Sequence, residues 1–203
     1  MTTDTVTRRP DRRTERHQRT KSEIVAAAWR LADERGLAGW ALRDVADAVG
    51  MRAPSLYVYF DSKNALYDAM FADGYRALLD RMADLPPAAA PEAALRRGAR
   101  TFVQFCVEQP ARHLLLFLRT VPGFEPSPES YALAEQVLTA TAQALTAAGL
   151  RGQRALDLWT AVFTGIATQQ VSNDPGGDRW IRLVDEAVAM LLEQHGRPRR
   201  RRS

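Results

Sequence analysis

The sequence predicts an all-α chain: three short helices, one long linking helix, then a larger helical bundle. Two observations carry this. Apolar residues recur three and four apart almost everywhere between the termini, and strict alternation never lasts beyond a few residues. Gly and Pro breaks also fall at helix-length intervals. The size fits: 203 residues, 46% hydrophobic and 26% charged, suffice for one ordinary soluble domain plus a small module.

The first helix is expected to open at Thr20-Lys21-Ser22-Glu23, a capping box in which each end satisfies the other's backbone N–H. Its buried face is Ile24, Ala27, Ala28, Leu31 and Ala32, and Gly36 suits a left-handed cap. A second helix covers about 41–49 and stops at Gly50; a third covers about 54–60. The fourth takes Asp61 as its N-cap and runs through Leu66, Met70, Tyr75, Leu78 and Met82 to Pro86-Pro87. After an alanine-rich connector, further helices are expected at about 91–107, 110–120, 128–148, 152–172 and 178–194. The breaks are Gln109-Pro110, Val121-Pro122-Gly123, Ala148-Gly149 and Asn173-Asp174-Pro175-Gly176-Gly177. The expected parts are a disordered basic arm (1–19), a module of three short helices (20–65), a larger helical body (66–195) and a disordered basic tail (196–203).

The net charge of +4 is unevenly spread. Residues 1–19 carry six arginines against three acids, and 196–203 add five arginines. Residues 20–65 balance, and 66–195 are acidic by four charges. Basic tails of this kind bind polyanions weakly and without sequence preference.

Several function classes are set aside. No apolar run approaches the roughly 18 residues of a membrane span. The polar start is no secretory signal, and the single Cys106 permits no internal disulfide, so a reducing cytoplasm is expected. Cys106 and His113 lie seven apart, but Pro110 intervenes and no third orienting group accompanies them. His17, His113 and His195 are scattered, which does not favour a metal site. There is no glycine-rich phosphate loop and no cofactor is expected.

Residues 42–60 carry the function. Two helices crossing over a tight turn need a small residue at their contact, here Ala46. Four residues on, the turn needs a positive φ, here at Gly50. Val45, Val49, Met51, Leu56 and Tyr59 supply the apolar inner face, and Pro54 suits a first helical turn. With Leu56-Tyr57-Val58-Tyr59-Phe60-Asp61-Ser62-Lys63 as its most diagnostic string, the segment at about 20–70 resembles the tetracycline-repressor (TetR) family of regulators.

In a helix-turn-helix the N-terminal residues of the second helix face base edges, which points to Arg52, Ala53, Pro54, Ser55 and Tyr57. Tyr57 and Tyr59 also fit a partly core role, Tyr59 especially by its inner-face spacing, and Arg52 fits a merely solvated one. The resemblance implies that Arg43 reaches the DNA and that Tyr59 and Lys63 contact phosphates. Ala41 departs from the Ser or Thr common there in the family. That loses a cap of about 1 kcal/mol, so the second helix is expected to lean on Trp40 and Leu42.

Phe102, Phe105, Phe117, Tyr131, Trp159 and Phe163 lie at helix-face spacings in the C-terminal body. The resemblance implies a ligand cavity there, and a four-helix dimer interface from the last two helices (about 152–172 and 178–194). Residues 169–188 are similar to the C-terminal end of one subset of the family. The implied function is a ligand-responsive repressor, not an enzyme. As a homodimer it would bind a near-palindromic operator and be released by a small apolar or aromatic effector. The alternative is a DNA-binding regulator with no small-molecule effector, or an architectural protein that acts through its basic tails.

Overall fold

A computed structural model describes residues 12–195; parts of the expected basic arm (1–11) and the whole tail (196–203) lie outside them. The described residues form helices joined by short connections, with no strand among them. The chain divides into two units after Leu66.

In the first unit, α1 (Arg12–Arg35), α2 (Leu42–Ala48) and α3 (Ala53–Leu56) pack in sequence. Ile24, Ala27, Ala28, Leu31, Val45, Ala46, Leu56 and Phe60 are among its buried side chains. The capping box expected at residues 20–23 is not a helix start. Helix α1 begins eight residues earlier, so residues 12–19 are helical and not a disordered arm. The Ser22 hydroxyl donates back to the Gln18 carbonyl, and Arg19 pairs with Glu23 one turn on. Both contacts belong to a helix interior. Helix α3 is also shorter than expected: after Leu56 the chain continues as turns, with Phe60 N–H donating to the Leu56 carbonyl.

Helix α4 (Lys63–Ala83) starts in the first unit and continues into the second. Its cap is Ser62, whose hydroxyl accepts from Ala65 N–H at 3.1 Å, and not Asp61. The second unit adds α5 (Pro91–Glu108), α6 (Pro110–Phe117), α7 (Pro128–Ala147), α8 (Gln153–Asn173) and α9 (Val184–His195). Helix α6 ends three residues early, because Leu118 is extended. A 3-10 turn (Ile181–Leu183) replaces the first turn expected of the last helix. That turn is fixed by Gln170, which is fully buried. Its side-chain oxygen accepts from Trp180 and Ile181 N–H, and its amide donates to Asp174.

Helix α5 is the centre of this unit and packs against α6, α7, α8 and α9. Leu95, Ala99, Val103 and Cys106 repeat on its buried face, while Arg96, Arg97 and Arg100 stand off it. Fully burying one leucine- or phenylalanine-sized side chain stabilises by about 1.5–3 kcal/mol. The exposed Arg81–Glu108 and Arg100–Asp185 pairs contribute at most about 1 kcal/mol each, so the apolar face decides the fold. Asp68 on α4 accepts from Ser127 N–H at 2.7 Å and from the Ser127 and Ser130 hydroxyls at 2.9 Å. This anchors the start of α7 to α4.

Candidate nucleic-acid interface and inner cavity

The turn between α2 and α3 is built as the sequence requires. Gly50 takes φ +68°, its N–H donates to the Asp47 carbonyl at 3.1 Å, and Met51 N–H reaches the Ala46 carbonyl at 2.8 Å. These paired bonds close the end of α2 in a Schellman motif. Ala46, Val45 and Leu56 are fully buried where the helices meet, and Val49, Met51 and Tyr59 are half-buried. Ala41 offers no side-chain cap, but the Asp44 carboxylate accepts Ala41 N–H at 2.6 Å. One half of a capping box therefore survives, and α2 does not lean on packing alone.

That scaffold turns the outer edge of α3 to the surface. Arg52, at the N-cap, Pro54 and Ser55 are exposed, Tyr57 is 54% exposed, and Ala53 is half-buried. Arg43 is exposed on α2. Val58, 75% exposed, belongs to the same edge and was not anticipated from spacing. Tyr59 instead stacks on the His17 ring, with centroids 4.8 Å apart. Lys63 turns toward the α1–α2 connection. Its ammonium donates to the Trp40 carbonyl at 2.5 Å and the Ala38 carbonyl at 3.4 Å, 4.3 Å from the centre of a Trp40 ring. Burial pushes the Lys63 pKa down, and the Asp44 charge opposes that shift.

The second unit holds a cavity of about 750 Å³ that opens to the surface beside Tyr131 and Leu138. Its wall is drawn from five helices: Tyr75 and Met82 of α4, Phe102 of α5, Phe117 of α6, Tyr131 of α7, and Trp159 and Phe163 of α8. Among the described residues, no charged side chain lines it. Phe102 meets Phe117 edge-on at 5.0 Å, and Trp159 lies 4.3 Å from Phe163. A second cavity of about 540 Å³ shares Tyr75, Leu116, Phe117, Leu118 and Tyr131 with the first, and adds Arg119, Thr120 and Glu125. Five of the six expected ligand-side aromatics therefore line one space. Phe105 does not: one turn beyond Phe102, its ring is enclosed in the core.

The family model for bacterial regulatory proteins of the tetR family matches residues 24–70, the span that holds α2, α3 and their turn. The HTH-type transcriptional regulator EthR of Mycolicibacterium smegmatis is 32% identical over 177 residues, 80% of this chain and 79% of its own. This chain belongs to the TetR family of transcriptional regulators. It is thus a DNA-binding regulator and not an enzyme. The HTH-type regulator Rv1816 of Mycobacterium tuberculosis is 28% identical over 210 residues, 93% of this TetR-family chain and 87% of its own. The fold is also that of solved structures. A regulatory protein, SCO4313, superposes with a TM-score of 0.73 at 22% identity, over 91% of this chain and 100% of its own. FadR of Bacillus subtilis in complex with stearoyl-CoA superposes at 0.72 and 18% identity, over 87% of this chain and 99% of its own.

In this TetR-family chain, Cys106 and His113 are buried core residues. Burial pushes the Cys106 thiol pKa up, away from the thiolate. His113, also fully buried, shares a 3.0 Å hydrogen bond between Nε2 and the Thr168 hydroxyl. Among the described residues, no cluster of His, Cys, Asp or Glu is placed to hold a metal ion. No described helix is long and apolar enough to cross a membrane.

Proposed function

We propose that this chain is a ligand-responsive repressor. It binds a near-palindromic operator as a homodimer and is released when a small apolar or aromatic molecule occupies the inner cavity. One observation carries the reading: an outward edge (Arg52, Pro54, Ser55, Tyr57) on a buried, Schellman-closed helix pair, in a chain whose other unit holds an uncharged aromatic cavity.

In this reading α3 enters the major groove. Arg43 or Arg52 makes a bidentate contact to guanine, Ser55 and Tyr57 read neighbouring base edges, and Ala53 or the Pro54 ring meets a thymine methyl. Tyr59 and Lys63 act at the phosphate backbone, with Lys63 also holding the α1–α2 connection in place. The effector rests among Phe102, Phe117, Tyr131, Trp159 and Phe163.

Dimerisation through α8 and α9 is supported by a surface groove where Ile166, Leu183, Ala187 and Met190 stand beside Glu186 and Glu193. Leu183 and Met190 are exposed, and a second copy would cover both. Two-fold pairing then sets two recognition edges about 34 Å apart, one turn of duplex.

Selection of bound fragments from random DNA, with and without uncharged aromatic compounds, tests this reading. The expected outcome is a motif with two-fold symmetry whose half-site changes in Ser55→Ala, and whose recovery falls with an aromatic compound. Recovery without sequence preference would leave a nonspecific binder.

A further inference from the structure

Most glycines in the second unit have an evident reason to be glycine. At Gly74 on α4, an added Cβ would stand 2.8 Å from Leu116 Cδ1, so close packing excludes a side chain. Gly123, Gly149, Gly152 and Gly176 have positive φ. Gly98 has neither reason. It sits in the interior of α5, is not among the positive-φ glycines, and an added Cβ would meet no atom within 4 Å. Inside a helix only proline is less favourable, so its presence costs the fold without any return in packing.

The space beside Gly98 is the inner cavity. Ala94, Gly98 and Phe102 stand four apart on α5 and all line it, as do Met82, Thr141 and Ala144 from α4 and α7. The same wall leaves large apolar side chains uncovered: Tyr131 is 48% exposed and Leu138 38%. Uncovered apolar surface in a concavity without charge fits an apolar occupant. Gly165 on α8 lines the same cavity and also has open space beside it.

We propose that Gly98 sets the size of the effector cavity: the room its missing side chain leaves is occupied by the uncharged, apolar body of the ligand. This rests on the reading of the cavity as the effector site. It explains why a helix-weakening residue persists where alanine would fit.

The test uses the full chain, the uncharged fluorescent probe N-phenyl-1-naphthylamine, and the variants Gly98→Ala and Gly98→Leu. Without probe, Gly98→Ala should melt about 2–4 °C above the parent. Gly98→Leu should fold and bind the probe at least tenfold more weakly. A lower melting temperature for Gly98→Ala, or failure of Gly98→Leu to fold, would mean the space is filled and the proposal is wrong. Equal probe binding by the parent and Gly98→Leu would overturn the Gly98 role alone. No binding by the parent would remove the effector-cavity reading, and the Gly98 role with it.

Discussion

The Lys63 ammonium donates to the Trp40 carbonyl at 2.5 Å and lies 4.3 Å from the centre of one of the indole's rings. One of only two lysines in the chain thus joins the start of α4 to the connection that leads into α2. The Asp44 carboxylate, which holds Ala41 N–H, also stabilises the Lys63 charge. Three groups therefore brace the entry to the DNA-reading helices.

Lys63→Ala should then have two effects. Loss of a charge-assisted hydrogen bond and a partly exposed cation–π contact is worth about 1–2 kcal/mol, so the urea midpoint should fall. Operator affinity should fall by a similar factor on every sequence, because a backbone contact and a scaffold carry no base preference. Paired urea titrations and binding to a panel of operator variants check both effects. An unchanged midpoint would assign Lys63 to the phosphates alone, and a changed base preference would assign it to readout.

Gly50 and Gly98 make opposite predictions for the same substitution. Neither has an atom within 4 Å of an added Cβ, so contacts do not decide the sign. At Gly50 the backbone does: φ is +68°, where an L-residue pays about 1–2 kcal/mol. Gly50→Ala should lower stability by that amount and weaken operator binding as the Ala46–Met51 bond is strained. Gly98→Ala should raise stability. Differential scanning calorimetry of the two variants side by side reads the contrast.

These contacts show what could be read before the fold was known. The helix-turn-helix was legible because its constraints are local: Ala46, Gly50 and Leu56 meet demands set within a dozen residues. The early start of α1 was not. Residues 12–19 look like a solvated charge run, and their order draws on the stack of His17 against Tyr59, more than forty positions away. The internal engagement of Lys63 was hidden for the same reason, since its partners lie 23 and 25 residues upstream. The cavity was half legible. Phe102, Phe117, Tyr131, Trp159 and Phe163 have the right spacing, but periodicity does not separate a ring that faces a void from one, such as Phe105, that fills a core. Gly98 was passed over because a void has no letter in a sequence.

His113 should make the second unit sensitive to mild acid. The Thr168 hydroxyl donates to the Thr164 carbonyl at 2.7 Å, so it accepts from His113 Nε2–H, leaving Nδ1 unprotonated. Nδ1 is buried with no hydrogen-bond partner among the described residues. Burial holds the His113 pKa below its ordinary 6.5, because a charged imidazole would be desolvated. The unfolded chain therefore takes up a proton near pH 6.5, while the folded chain resists until lower pH. In that window the unfolded state binds more protons, so stability rises with pH. The contribution is present above pH 6.5 and is lost as pH falls through and below that value, with a slope of at most about 1.4 kcal/mol per pH unit. His113→Gln keeps a donor for Thr168 and removes the titration. Urea unfolding at pH 7, 6 and 5 should show the parent losing more stability than His113→Gln over this range. Parallel losses would mean that the imidazole accepts its proton in the folded state as readily as in the unfolded one.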